Sequence, residues 1–206
     1  MGNIEGKSST LSIQGLCNFQ QGPYFFEVRK GDCVVITGES GVGKSILLRM
    51  IADLIPNNGE VYLNTIARSS ISPTMWRKKV TYIASESGWW AKHVKDHVRD
   101  LTLVQSLLNK LNLKDTLLDA EIQHLSTGER QRMALLRALS SEVEFLLLDE
   151  VTSALDPDSV LLVEQLIQEL QKQGKGILLV SHNMEQVRRL ATRHYHLTKE
   201  TLKIVL

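Results

Sequence analysis

The run Cys33-Val34-Val35-Ile36-Thr37 leads without a break into Gly38-Glu39-Ser40-Gly41-Val42-Gly43-Lys44-Ser45. Five apolar or β-branched residues read as a buried strand, and the eight that follow have the spacing of a phosphate-binding loop. Its glycines let backbone N–H groups curl around phosphate oxygens, Lys44 reaches the terminal phosphates, and the Ser45 hydroxyl is placed for Mg²⁺. Leu47, Leu48, Ile51 and Leu54 then recur on a helical period, so a helix is expected from Ser45 to Leu54, ended by Pro56-Asn57-Asn58-Gly59. Its N-terminal end adds a partial positive charge to the loop. Upstream, Tyr24 to Val28 and the turn Gly31-Asp32 predict a preceding strand, and a short strand is expected from Glu60 to Asn64. The chemistry predicted is binding of ATP with Mg²⁺, through Gly38 to Ile46.

A second apolar run, Phe145-Leu146-Leu147-Leu148, ends in Asp149 and Glu150. It predicts a buried parallel strand that delivers two carboxylates at its C-terminal end. Beside a phosphate loop, one acid is needed for the metal and a second can take a proton from water; Asp149 is assigned to Mg²⁺ and Glu150 to the base. Asp156-Pro157 opens a helix running to about Gln173, where Gly174 stops it. Ile177 to Val180 is the next buried strand, followed by Ser181-His182, a helix to about Thr192, and a hairpin turning near Lys199-Glu200. The alternation predicts an α/β fold with a mostly parallel sheet between helices. Trp89 to Leu139 reads as helical throughout, a subdomain of about residues 86–140 inserted into the α/β core of one domain spanning 1–206.

Leu125-Ser126-Thr127-Gly128-Glu129-Arg130-Gln131-Arg132 narrows the class. Ser126 with Glu129 three residues on is a capping box, so a helix is expected to start there with outward N–H groups and a hydroxyl, an anion site. The stretch resembles the signature motif of ABC ATPases; Ser153-Ala154-Leu155-Asp156 is similar to the family's D-loop, and Val180-Ser181-His182 to its switch histidine. From about Phe26 to Leu206 the chain resembles the nucleotide-binding subunits of ABC transporters. The resemblance implies N-terminal antiparallel strands, ATP hydrolysis, a head-to-tail homodimer, and a separate transmembrane permease on whose cytoplasmic face the subunit sits. It implies that Lys44, Ser45, Asp149, Glu150 and His182 act from one chain, with Ser126, Gly128 and Asp156 supplied by its partner.

Some positions depart from that pattern. Ser85 stands where the family carries a Gln that touches Mg²⁺, and the adjacent Glu86 is an alternative ligand. Ile46 replaces a hydroxyl residue and Thr127 the first signature glycine, so a working but slow ATPase is expected. Phe19 and Tyr24 are both poor candidates to stack on adenine. Trp89 and Trp90 fit equally a subdomain core or the contact with a membrane partner. His93 and His97, one helical turn apart, read as a solvated face rather than a zinc site.

The bulk composition limits the alternatives. With 206 residues, 43% hydrophobic, and a net charge of +1, nothing points to nucleic acid. No apolar run exceeds four residues, far short of the about 20 a membrane span needs, and Met1 to Thr10 lacks the apolar stretch of a signal peptide. Cys17 and Cys33, at no zinc-like spacing, read as reduced structural thiols. A small-molecule kinase would have no use for the signature helix and the switch histidine together. A non-transport ABC protein generally carries two cassettes or long insertions. An ATP-binding regulatory subunit with weak hydrolysis draws on Ser85 and Ile46, against which stands Glu150.

Overall fold

Leu11, Ile13 and Leu16 point inward from a strand that the sequence pattern had not singled out, β1 (Thr10–Cys17). The computed structural model describes residues 9–19, 21–199 and 201–205. The first ten residues were expected to lack a leader; of these, residues 1–8 lie outside the described range, as does residue 200 of the expected hairpin turn.

β1 pairs with β2 (Tyr24–Arg29) and, on its other side, with β4 (Asn58–Leu63), which pairs with β5 (Ile66–Ala67). These make an antiparallel sheet ordered β2-β1-β4-β5. β3 (Cys33–Thr37) follows β2 closely in the chain yet belongs to the second sheet, with β6 (Val80–Ile83), β7 (Phe145–Asp149), β8 (Gly176–Val180), β9 (Arg193–Leu197) and β10 (Leu202–Ile204). The order is β10-β9-β3-β8-β7-β6; all neighbours are parallel except the β10–β9 hairpin. The C-terminal ends of β3, β7 and β8 therefore share one edge, where ligands of open parallel sheets bind.

Two cores lie on the two faces of this sheet. Val34, Ile36, Phe145, Leu147, Leu178 and Val180 face α1 (Lys44–Ile51), α2 (Pro73–Lys79) and the antiparallel sheet. Trp76 of α2 is wholly buried there and its Nε1 donates to the Ile51 carbonyl at 2.9 Å. Val35, Ile177, Leu179, Leu146 and Leu148 face α4 (Thr127–Leu139), α5 (Pro157–Lys172), α6 (Met184–Leu190) and the inserted segment. Cys33 is packed in this second core, where burial pushes its thiol up to about 12, with Asp32 adding to the shift.

The segment between β6 and β7 is less helical than expected. Its α-helices are α3 (Leu101–Leu108) and α4, and between Val94 and His124 the rest is short 3₁₀ turns joined by loop. Asp100 and Ser126 cap the two helices, while Asn112 at φ 50° reverses the chain after the first, breaking the long amphipathic pattern into short pieces. The expected solvated pair His93 and His97 is divided. His93 lies 3.6 Å from the Asp96 carboxylate, whereas His97 is buried edge-on against Trp89 and Trp90, at centroid distances of 4.9 and 4.5 Å. Two indoles cover a ring that helical spacing alone would have left in water.

Gly176 begins β8 directly opposite Phe145, and the Phe145 ring lies over it. A β-carbon at Gly176 would meet that ring at 2.3 Å. Gly176→Ala is expected to destabilise the fold by about 1–3 kcal/mol through overpacking. A lower urea midpoint with an unchanged slope would report it.

Candidate active site

The loop between β3 and α1 takes backbone angles that favour glycine, with Gly38 at φ 152°, Gly41 at 76° and Gly43 at 103°. The buried Lys44 donates to the carbonyls of Gly38 at 2.9 Å and Glu39 at 2.8 Å, which curls the loop around its own lysine. Burial lowers the Lys44 pKa, opposed by the carboxylates of Glu150 and Asp149. Ser45 Oγ donates to Asp149 Oδ1 at 2.9 Å, although 104 residues separate them. A hydroxyl and a carboxylate oxygen at this distance make an all-oxygen pair suited to Mg²⁺. Ile46, the departure beside them, is half-buried against the first core.

Glu150 sits one residue past β7 with φ 51°, a conformation that costs a non-glycine residue about 1–3 kcal/mol and gathers at functional sites. Its N–H donates to the Val180 carbonyl at 3.2 Å, tying it to the end of β8. Its Oε1 lies 2.8 Å from Nε2 of His182, two residues beyond that strand. Because β8 runs between β3 and β7, the acid and the histidine meet although 32 residues apart in the chain. A cavity of about 570 Å³ opens beside the pair, lined also by Ser153, Leu155, Asn183 and Arg189.

Ser126 caps α4 by the expected reciprocal box: its Oγ accepts from the Glu129 N–H at 3.3 Å, and Glu129 Oε2 accepts from the Ser126 N–H at 2.9 Å. Ser126 and Thr127 are exposed, so the N-terminal end of α4 faces solvent. Asp156 is exposed as well, with its carboxylate accepting from the Ser159 N–H at 2.9 Å at the start of α5. α4 and α1 pack on opposite faces of the six-stranded sheet, so within one chain Ser126 and Gly128 are not brought to the loop that begins at Gly38. Ser85 and Glu86 are exposed just after β6. Tyr24 is buried, with its hydroxyl donating to Gln21 at 3.3 Å, while Phe19 is fully exposed.

The contacts of four side chains around the site are not legible in the sequence. Tyr82 donates to Asp149 Oδ2 at 2.7 Å and accepts from Arg49 at 3.3 Å. Burial, with the Asp149 hydrogen bond, pushes its phenol up to about 12 against the opposing pull of Arg49, which keeps it a donor to the carboxylate. Gln21 Nε2 donates to the Val42 carbonyl at 2.7 Å and lies where a β-carbon on Gly43 would be. Arg132 bridges α4 to Ser159 Oγ at 2.9 Å. Gln131 donates to the carbonyls of Ser85 and Glu150. Only the strand order could have revealed the first and last, since β6 and β7 are 62 residues apart at their closest ends.

A strand, a glycine loop closed on a lysine, a following serine and a facing aspartate define the class of phosphate-loop nucleoside triphosphatases. Residues 23–153 match the family model described as ABC transporter. The chain is 33% identical to the probable iron export ATP-binding protein FetA of Escherichia coli (strain K12), over 79% of this chain and 77% of that one. It is 31% identical to the phosphate import ATP-binding protein PstB 1 of Vibrio cholerae serotype O1, over 96% and 83% of the two chains. With Protein STAR1 of Oryza sativa subsp. japonica it shares 38% identity over 80% of this chain and 51% of the relative. The chain belongs to the ABC transporter family, as an ATP-binding subunit with ATPase activity that serves as a transporter's motor. No helix among the described residues is long and apolar enough to cross a membrane.

Proposed function

We propose that residues 1–206 form one ATP-binding domain, with residues 86–140 as its helical subdomain, and that two copies close head to tail around two ATP molecules on the cytoplasmic face of a separate transmembrane permease. The observation that carries this reading is the placement of α1 and α4 on opposite faces of the sheet, each with an N-terminal end suited to anions. One copy cannot aim both ends at one nucleotide, whereas an isologous pair brings each loop to the other's helix.

In each site the N–H groups of Gly38, Glu39, Ser40, Gly41, Val42, Gly43 and Ile46 cradle the phosphates, and Lys44 turns from its carbonyl partners to the terminal ones. Ser45 and Asp149, with Ser85 or Glu86, hold Mg²⁺, which when bound neutralises charge on the transferring phosphoryl group. Glu150 takes the proton of the attacking water, and His182 at 2.8 Å from it contacts the γ-phosphate and fixes the carboxylate's orientation. Ser126, Gly128 and Asp156 of the second copy complete the site. Binding energy for ATP thereby becomes closure of the dimer, and hydrolysis releases it.

The contact with the permease is assigned to the face around Trp90. Trp90 is 76% exposed, while Trp89 packs on the second core, and the Arg137 guanidinium lies 4.4 and 5.1 Å from the two rings. An exposed indole held rigid by a cation and a buried histidine is a suitable anchor for a partner. The two transport relatives differ in direction, one an exporter and one an importer by name, so no cargo is assigned.

Steady-state ATP hydrolysis by the purified chain with Mg²⁺, followed across protein concentration, tests the composite site. Turnover per chain is expected to rise with concentration until the dimer saturates. A rate per chain that stays constant down to demonstrably monomeric protein would rule the composite site out.

A further inference from the structure

The backbone of Glu150, at φ 51°, is held partly from outside the strands. Its carbonyl accepts from the Ser153 N–H at 3.0 Å and also from Gln131 Nε2 at 3.3 Å. The same Nε2 donates to the Ser85 carbonyl at 3.4 Å. Two carbonyl acceptors fix which end of the amide carries the nitrogen. Gln131 is 94% buried on α4, and its Oε1 has no hydrogen-bond partner among the described residues. A buried, unpartnered carbonyl oxygen is unfavourable, and an apolar side chain of similar length would remove that cost. The amide's two donated hydrogen bonds are what a methionine there would lose.

We infer that Gln131 is a positioning residue for hydrolysis: it holds the strained backbone of Glu150 so that the carboxylate stays aimed at His182 and the attacking water. The inference deepens the assignment of Glu150 as base and rests on it. Three elements meet at this one amide. Ser85 lies two residues past β6, Glu150 one residue past β7, and α4 carries Gln131 five residues from the exposed cap Ser126, about 7.5 Å along the helix axis. Ser85 has only a short side chain, so its backbone carbonyl is the group tied toward the base, through Gln131. A shift of α4 or of the chain at Ser85 would therefore be felt at Glu150 through a side chain that touches neither nucleotide nor metal. A cavity of about 360 Å³ adjoins the amide, lined by Ser85, Glu86, Trp89, Thr127 and Arg130, leaving α4 room to move against this segment.

The test compares Gln131→Met, Glu150→Gln and the unaltered full chain. Turnover and KM are read from phosphate release, nucleotide affinity from a fluorescent ATP analogue, and the thermal midpoint from circular dichroism. Gln131→Met is expected to lower kcat at least about tenfold, as misplacement of a catalytic group does, with KM and nucleotide affinity within about twofold and the midpoint unchanged or raised. An unchanged kcat overturns the inference. So does a joint fall in kcat, nucleotide affinity and midpoint, since that pattern marks Gln131 as part of the scaffold alone. If Glu150→Gln retains full turnover, the assignment of the base fails first and the role of Gln131 falls with it.

Discussion

Glu150→Gln is expected to lower ATP turnover by at least about a hundredfold while leaving nucleotide affinity near that of the unaltered chain. The amide has the shape of the carboxylate and its oxygen can still accept from His182, so the 2.8 Å contact and the loop around it persist. It cannot take a proton from water. Glutamine meets the same backbone cost at φ 51° as glutamate, so the fold has no reason to weaken. With hydrolysis blocked, the head-to-tail pair proposed for this chain should accumulate in ATP, and sedimentation of the variant with and without nucleotide would reveal it. Turnover within about tenfold of the unaltered chain would remove Glu150 from the role of base.

Lys44→Met should weaken ATP binding by roughly 2–5 kcal/mol, the cost of truncating one member of a buried charge pair, which is about thirtyfold to several thousandfold in Kd. The side chain contacts the Gly38 and Glu39 carbonyls within its own loop, so the loss falls on the ligand rather than on either core. Methionine matches the length of the lysine stem and keeps its packing between the loop and α1. Calorimetric titration with ATP, beside a melting curve, separates the two effects. Undiminished affinity would mean that the lysine never leaves its carbonyls for the phosphates.

How much of this was legible beforehand depended on whether the signal was local. The loop at Gly38 to Ser45, the cap at Ser126 and the helix start at Asp156 are each written within a few residues, and all three form as read. β1 leaves no clear strand pattern because Gln14, Gly15 and Cys17 blur its alternation, with a register shift in the middle of its pairing. The inserted segment reads as continuous helix because apolar spacing survives in 3₁₀ turns, although Asn112 and the capping Asp100 break it. At the site, each carboxylate and hydroxyl could be named from sequence, but the neighbours could not. Tyr82 reaches Asp149 because β6 lies beside β7, and Gln131 reaches Glu150 because α4 lies across that edge. Strand order is a property of the whole fold and leaves no mark on any short window.

The position of β3 bears on how the protein is made. Its hydrogen-bonded neighbours are β8 and β9, so Cys33 waits for Ile177 and Val34 for Arg193. On a translating ribosome the strand that carries the nucleotide loop emerges well before its sheet partners and waits until β8 and β9 follow it. The antiparallel sheet, whose strands lie within the first 67 residues, can assemble long before. Such long-range closure is slow and leaves apolar edges exposed in the interim. The nucleotide loop after β3 therefore gains the sheet that holds it only once Ile177 and Arg193 have followed, although its own residues are made among the first 45.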